Sequence, residues 1–135
     1  MKEYNISDDK SRLDLKLIHH VISSSYWAKG RSFKEVKRSI DNSICYGIYM
    51  DSRQIGFARI VTDLTTIAYL MDVFIVEEFQ GNGLSKILLN YILDDKRFNS
   101  VKKWMLATKD THSLYEKFGF RKLKMTGNLM EKVSD

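Results

Sequence analysis

The clearest pattern in the chain lies between residues 73 and 92. An apolar, β-branched run, Val73–Val76, is followed by a polar stretch that carries Gly81 and Gly83. Beyond these glycines, apolar residues recur at the spacing that forms one face of a helix. They are Leu84, Ile87, Leu88, Tyr91 and Ile92. The pattern predicts a strand, a tight loop and a helix in succession.

The N-terminal part predicts a short strand and two amphipathic helices. The strand is Tyr4–Ile6, and Ser7 or Asp8 supplies an N-cap for the first helix. The second helix opens with a capping box formed by Ser32 and Glu35. The apolar faces of the two helices are Leu13, Leu17, Ile18, Val21 and Ile22 in the first and Phe33, Val36 and Ile40 in the second.

The rest of the chain alternates strand and helix patterns. Strands are predicted over 44–50, 55–62, 66–76 and 101–107. The third of these is long enough to need a bend or a bulge. Helices are predicted over 83–94 and 111–118, and Gly119 ends the second as a C-cap glycine. Two last strands, 120–125 and 129–133, form a hairpin.

The predicted order of elements is β-α-α-β-β-β-α-β-α-β-β. The strand, helix and strand over 66–107 imply a parallel pair joined by a right-handed crossover, whereas the hairpins are antiparallel. The sequence therefore predicts an α/β fold of the α+β type, with a mixed, mostly antiparallel central sheet flanked by helices. At 135 residues, we expect residues 1–135 to form a single domain.

Composition narrows the classes of protein that the chain can represent. Hydrophobic residues make up 44% and charged residues 29%, which is typical of a globular domain. Neither a membrane-spanning apolar run nor an apolar signal core is present, so we expect a cytoplasmic protein without a membrane partner. A lone cysteine, Cys45, fits a reducing compartment, and no residue cluster has the spacing of a metal site.

The net charge of +5 suits an anionic ligand or a nucleic acid. The basic residues are interspersed with 17 acidic ones, and no basic stripe alternates with stacking aromatics. A solvated basic surface is therefore favoured over a nucleic-acid interface.

The loop after Val76 has the properties of a phosphate site. The first turn of a helix offers free N–H groups and the positive end of the helix dipole. Gly83 is followed by Leu84 rather than Lys, which excludes a P-loop, and Lys86 stands where a dinucleotide fingerprint needs a third glycine. What remains is Gln-x-x-Gly-x-Ser over residues 80–85, which we call the elbow.

The elbow resembles the pyrophosphate-binding motif of the GNAT superfamily of acyltransferases, whose usual form is Arg or Gln, two residues, Gly, one residue, then Gly or Ala. A second stretch, Leu114–Phe120, is similar to the superfamily's Leu-Tyr-Glu-Lys-x-Gly-Phe signature. The resemblance extends over Ile44–Val133. It implies an N-acetyltransferase that uses acetyl-CoA as co-substrate and needs no metal.

The resemblance also implies how acetyl-CoA is held. Backbone groups of three strand residues would bind the pantetheine arm and polarise the thioester carbonyl. These are Phe74, Ile75 and Val76. The pyrophosphate would lie against Gln80, Gly81, Asn82, Gly83, Leu84 and Ser85. Thr108 stands where the superfamily often has an asparagine that contacts coenzyme A, and His112, one helical turn before Tyr115, either contacts a ligand or lies on the surface.

Tyr115 matches the superfamily's tyrosine near the thioester sulfur, and we expect it to donate a hydrogen bond to the developing thiolate. Asp72 is the candidate general base, because it interrupts an apolar strand on the predicted face of Leu70 and Phe74. The alternative is that Asp72 caps a backbone group. Glu77 and Glu78 are further candidates for the base.

A polar connector, residues 23–31, joins the first two helices. Superfamily members usually shape the acceptor pocket with this segment. Tyr26 and Trp27 would then wall the pocket, and Arg31 would bind an acceptor carboxylate through two hydrogen bonds. The alternative is that the aromatics cover the edge of the core and that Arg31 is solvated.

The favoured hypothesis is transfer of an acetyl group from acetyl-CoA to a primary amine of a small molecule, with an amino-acid-like compound as one candidate. The transfer is direct, within a ternary complex. The alternatives are acetylation of protein amino groups, a module that binds acyl-CoA without turnover and, less favoured, a nucleic-acid-binding domain. The sequence allows either a monomer or a homodimer.

Overall fold

The computed structural model describes residues 3–134. Within these residues, five strands and four α-helices follow one another in the order β-α-α-β-β-β-α-β-α. The strands are β1 Tyr4–Ser7, β2 Ile44–Met50, β3 Arg53–Thr62, β4 Ile67–Ile75 and β5 Lys103–Leu106. The helices are α1 Leu15–Ser23, α2 Phe33–Asp41, α3 Leu84–Leu93 and α4 His112–Glu116. Short 3₁₀ turns occur at Lys10–Arg12, Glu77–Phe79, Lys96–Phe98 and Thr126–Asn128.

The strands form one sheet in the order β1-β2-β3-β4-β5. The first four are antiparallel to their neighbours, and β4 and β5 are parallel, with α3 in the connection between them. This confirms the predicted mixed, mostly antiparallel sheet flanked by helices. None of the helices in residues 3–134 is both long and apolar enough to cross a bilayer.

Local capping signals explain where the first helices begin. Ser32 and Glu35 form the predicted capping box of α2. The start of α1 was predicted too early, because the Asp9 side chain accepts a hydrogen bond from the Ser11 amide and caps a separate 3₁₀ turn. Asp14 then caps α1 by accepting from the Leu17 amide at 3.1 Å.

The apolar residues form clusters on both sides of the sheet. One cluster contains residues of α1 and α2 together with Phe57 and Phe74, and another contains residues of α3 together with Ala68 and Leu70. The two helical layers therefore cover opposite faces of β3 and β4.

A β-bulge in β4 explains why Leu70 and Phe74 belong to different clusters. Met71 lies opposite Arg59 and Phe74 lies opposite Phe57, so β4 carries one residue more than β3 over this stretch. Asp72 lies in this bulge and has a φ of 56°. The bend that the length of this strand predicts is thus present. The prediction that Asp72 shares a face with both Leu70 and Phe74 is wrong, because one extra residue reverses the alternation of side chains.

The C-terminal hairpin is the part of the predicted fold that the structure contradicts. Between Gly119 and residue 134 the chain contains a 3₁₀ turn and no strand. Phe120, Leu123 and Met125 are separated by three and then two residues, so an extended chain would place Phe120 on the opposite face from the other two. An isolated two-stranded hairpin without one apolar face is only marginally stable. Residues 121–134 are accordingly exposed.

Candidate active site

Strand β4 extends well beyond its pairing with β5. Their pairing ends where Leu70 lies opposite Leu106, whereas β4 continues to Ile75. A cavity of about 390 Å³ lies at this opening, between β4, the end of β5, Tyr115 and the connector. Beyond Leu70, the edge of β4 is therefore not covered by β5.

The elbow at the start of α3 is built by glycine. Gly83 is the N-cap of α3 with a φ of 74°, and Gly81 has a φ of 82°. Residues with a Cβ rarely adopt these conformations. No side chain caps α3, so the amides of its first turn are left for water or an anion. A cavity of about 200 Å³ lies here, and Ser85 and Lys86 contribute to its lining.

The polar side chains of the elbow hold its backbone in shape. The Gln80 side-chain amide donates to the Ile75 carbonyl at 2.8 Å, and that of Asn82 donates to the Phe79 carbonyl at 3.1 Å. The Leu84 side chain is buried against Ile75 in the core. Residues 80–84 therefore offer a ligand mainly their backbone amides.

Val76 does not have the free backbone amide that the resemblance implies for binding the pantetheine arm. Its amide donates to the Ile55 carbonyl at 2.8 Å, and its carbonyl accepts from the Phe79 amide at 2.9 Å. The Val76 amide is therefore not free to bind a pantetheine arm. Because N–H groups along a strand point alternately to its two sides, the Ile75 amide faces the opening between β4 and β5.

Tyr115 borders the cavity from α4. Burial, with a smaller contribution from nearby Tyr26, raises the pKa of its phenol. Its ring packs edge to face against Phe120, with ring centroids 5.9 Å apart. The hydroxyl is therefore a proton donor throughout the neutral pH range and is held in one place by its surroundings.

Thr108 and His112 lie near Tyr115 but have different surroundings. The Thr108 hydroxyl bonds that of Thr111 at 2.6 Å and accepts from the Thr111 amide at 3.3 Å, so it shapes the turn into α4. His112 is exposed at the first position of α4. It borders a neighbouring cavity of about 400 Å³ formed by β5, α4 and the chain after Phe120, which shares Thr108 and Tyr115 with the first cavity. The structure thus does not place His112 at the cavity between β4 and β5.

The three residues predicted to bind the acceptor come together at that cavity. Tyr26, Trp27 and Arg31 all border it, and we call them the acceptor wall. Tyr26 and Trp27 pack edge to face, with centroids 5.4 Å apart. Tyr26 also reaches the far side of the opening, where its hydroxyl accepts from the Lys109 amide at 3.3 Å. The connector therefore covers the cavity from the β4 side to the end of β5.

Asp72 is hydrogen-bonded to two residues of the acceptor wall, Trp27 and Arg31. Its Oδ1 accepts from Trp27 Nε1 at 3.0 Å, and its Oδ2 accepts from Arg31 Nη1 at 3.0 Å. Arg59 Nε donates to the same Oδ2 at 2.8 Å. These partners are side chains, so the alternative that Asp72 caps a backbone group is wrong.

The arrangement also speaks against Asp72 as a general base. Its side chain has 0% exposure and both oxygens are engaged. Two guanidinium groups and an indole N–H hold these oxygens, so neither is left to accept a proton from an amine in the cavity. Of the other candidates, Glu77 is exposed, and Glu78 is exposed and forms an ion pair with Arg53.

Arg59 is a site residue that the sequence analysis missed. It lies in β3, and its guanidinium also donates to Ser43 Oγ at 3.0 Å and contacts Met71 Sδ at 3.5 Å. The available signal was a lone cation in the apolar strand pattern over 55–62. A lone acid in the next strand, Asp72, would have been its natural partner.

Most of the residues predicted to act on a ligand line the opening or the elbow beside it, whereas His112, Glu77 and Glu78 line neither. A helix N-terminus suited to a diphosphate, a strand edge with a free amide and a buried phenol follow one another along the opening. The fold and this order of features indicate an acyltransferase. Within residues 3–134, no group of three or more His, Cys, Asp or Glu side chains is placed to hold a metal ion.

Comparison with known proteins agrees with this class. The sequence profile of the acetyltransferase (GNAT) domain matches residues 41–122. An uncharacterized N-acetyltransferase of Pyropia yezoensis, ycf52, is 32% identical over 127 residues, which cover 90% of this chain and 72% of that protein. The chain belongs to the GNAT family of acetyltransferases.

Solved structures show the same fold. A crystal structure of a GNAT-family protein from Xanthomonas campestris pv. campestris is 38% identical and superposes with a TM-score of 0.95, covering 99% of this chain and 95% of that one. An acetyltransferase from Clostridium acetobutylicum, solved with acetyl-CoA, has a TM-score of 0.69 at 16% identity, with 98% and 96% of the two chains covered. At that identity the likeness concerns the fold.

Proposed function

We propose that the protein transfers an acetyl group from acetyl-CoA to the primary amine of a small molecule that also carries a carboxylate. The observation that carries this proposal is the position of Tyr115. Its side chain borders the cavity that the acceptor wall closes, and α4, on which it lies, also contributes Leu114 to the cavity at the elbow. A thioester lying between the two cavities would therefore reach the phenol and the acceptor together.

The elbow would hold the diphosphate of acetyl-CoA through the amides of its glycines and of the first turn of α3. The pantetheine arm would lie along β4 as an added strand. In that pose the Ile75 amide points to the thioester carbonyl, where a hydrogen bond stabilises the oxyanion that forms on attack.

The amine nitrogen attacks the carbonyl carbon, a C–N bond forms and the C–S bond breaks. Tyr115 donates a hydrogen bond to the departing thiolate. Full proton transfer is unfavourable, because a phenol with a pKa of about 10 is a weaker acid than a thiol with a pKa of about 8.5. Burial raises the pKa of Tyr115 further. The amine loses its proton to water, since Asp72 is engaged by other side chains.

Arg31 supports a carboxylate on the acceptor. Asp72 occupies one terminal nitrogen of its guanidinium, and 22% of the side chain is exposed at the cavity. Together Arg31, Arg59 and Asp72 carry a net charge of +1, counted as two cations and one anion. A cavity of about 390 Å³ covered by Tyr26 favours a small molecule over a protein chain.

Two measurements test the proposal in order. Thermal denaturation with acetyl-CoA should show stabilisation that grows with ligand concentration. A panel of amines, assayed by release of free thiol, should then show turnover with compounds that carry both groups. Stabilisation without turnover by any amine would instead indicate a module that binds acyl-CoA, and absence of stabilisation would contradict both.

A further inference from the structure

Asp72 joins three side chains that are far apart in sequence. Trp27 and Arg31 come from the connector, and Arg59 comes from β3. We propose that Asp72 is a positioning residue that fixes Trp27 and Arg31 in the acceptor wall, and that Arg59 holds Asp72 in place. This inference rests on the proposed function, because it assigns the residues that orient the acceptor in that site.

The bulge in β4 aims Asp72 at the connector. Without the extra residue, strand alternation would place residue 72 on the same face as Leu70, which packs in the α3 cluster. With it, Asp72 lies on the face of Phe74, towards α1 and α2. A φ of 56° is uncommon for a residue with a side chain, although Asp tolerates it better than most. Such a conformation persists only where the surroundings determine it.

The two arginines have different roles in this network. The Arg59 side chain is 8% exposed, and its two terminal nitrogens contact Ser43 Oγ and Met71 Sδ. Arg31 is more exposed and borders the cavity. Arg59 is therefore the fixed inner partner of the carboxylate, and Arg31 is the outer partner that remains available to a ligand.

The charge of Asp72 is what keeps Arg31 at this position. Two guanidinium groups that approach one carboxylate oxygen repel each other strongly once the negative charge is removed. Arg59 is buried and also bonded to Ser43, whereas Arg31 is more exposed, so we expect Arg31 to be the group that shifts. Trp27 would lose the acceptor of its indole N–H in the same change.

Asp72→Asn tests the inference, because asparagine keeps the shape and tolerates a positive φ while removing the charge. The matched control is Asp41→Asn, which removes the charge of an exposed carboxylate that pairs with Lys37 on α2. Indole N–H signals of the two tryptophans are recorded by NMR without ligand, with Trp27→Phe to identify the Trp27 signal. Steady-state kinetics then use the best amino acid of the amine panel and its carboxamide.

In Asp72→Asn we expect the Trp27 signal to shift and its hydrogen exchange to accelerate, while the Trp104 signal stays in place. The KM for the amino acid should rise about tenfold, and its advantage over the carboxamide should fall by a similar factor. The KM for acetyl-CoA should remain within about twofold, because the elbow is untouched. Asp41→Asn should change none of these values.

An unchanged Trp27 signal would overturn the inference, and so would a loss in kcat with an unchanged KM for the amino acid. If Asp72→Asn does not fold, Trp27→Phe provides the second test, since it removes one hydrogen bond at a partly exposed position. It should raise the KM for the amino acid about threefold with kcat retained, and an unchanged KM would again overturn the inference. A wild-type protein that does not bind acetyl-CoA would overturn the proposed function instead, and the NMR experiment separates the two cases because it needs no ligand.

Discussion

The elbow and the acceptor wall form the two ends of one opening, but they are constructed differently. The elbow depends on the backbone conformation of glycines and on the first turn of a helix, and it is held by contacts between residues close in sequence. The acceptor wall depends on side chains. Its hydrogen bonds to Asp72 come from Arg31, which is 41 positions away in the sequence, and from Trp27, which is 45 positions away. In the function proposed above, local backbone geometry would serve the part of the ligand that the family shares. Long-range side-chain contacts would serve the part that distinguishes one member from another.

The largest effect is expected at the elbow. Gly83→Val places a β-branched residue at a φ of 74°. Nothing lies within 4 Å of an added Cβ there, so the expected cost comes from the backbone conformation and not from a clash. We expect acetyl-CoA affinity to fall about 100-fold, or ~2.7 kcal/mol, as measured by calorimetry.

Gly127→Val is the matched control for this change. Gly127 lies in the C-terminal 3₁₀ turn without a positive φ, and nothing lies within 4 Å of its added Cβ. It should bind acetyl-CoA like the wild type. Equal losses in both variants would mean that the elbow is not the site of the diphosphate.

The next effect concerns the phenol between the two ends. Tyr115→Phe removes a hydrogen bond to a developing thiolate, which contributes about 2 kcal/mol, so kcat should fall about 30-fold with both KM values retained. Tyr91→Phe, at an exposed position of α3, is the control and should leave kcat unchanged. A full rate in Tyr115→Phe would remove Tyr115 from the chemistry.

The pH profile examines the same residue. Burial raises the pKa of Tyr115, so the neutral, donating form persists above the ordinary phenol value of about 10. We expect kcat to show no decline from Tyr115 between neutral pH and about pH 10. A decline in kcat below that pH which disappears in Tyr115→Phe would contradict this expectation.

A smaller effect is expected at the acceptor wall. Arg31→Gln should raise the KM for an amino acid about tenfold, because the charge-assisted pair with the carboxylate is lost. It should leave the KM for the carboxamide and for acetyl-CoA unchanged. Arg38→Gln, at an exposed position of α2, is the control for loss of a positive charge. Equal losses for acid and carboxamide would show that Arg31 does not bind the carboxylate.

The smallest effect is expected at Tyr26, where the connector contacts the chain after β5. Tyr26→Phe removes an exposed hydrogen bond of 3.3 Å to the Lys109 amide. The aromatic surface of the wall is kept, so the KM for the amine should change by about twofold at most. Steady-state kinetics with the amino acid measure this. A tenfold change would mean that closure of the connector over the cavity is itself part of acceptor binding.

The same contrast explains how far sequence reasoning reached. The capping box of α2, the elbow and the crossover between β4 and β5 are encoded by neighbouring residues, and the structure agrees with each of them. The bulge was predicted from the length of the strand. Its effect on the direction of Asp72 was not, because a one-residue insertion reverses every later side chain and its position within the strand leaves no local signal.

Arg59 and the C-terminal segment show the remaining limits. The burial of a charged Arg59 is explained by its ion pair with Asp72. The two side chains meet only when β3 and β4 pair in the observed register. The segment after Gly119 has residues that favour strands, yet strand formation depends on a partner and a shared apolar face rather than on propensity. The family resemblance supplied the roles of the elbow and Tyr115, whereas the contacts of Asp72 could be obtained only from the fold.

The bulge makes β4 sensitive to the insertion or deletion of a single residue. Deleting the codon for Val73 would make β4 regular and place the Asp72 carboxylate on the face of Leu70, beneath α3. Arg59 would then face Arg31 without a counter-ion. The same deletion in an exposed tail such as residues 121–134 would be absorbed with little cost. Residues can thus be exchanged along this strand far more readily than they can be added or removed.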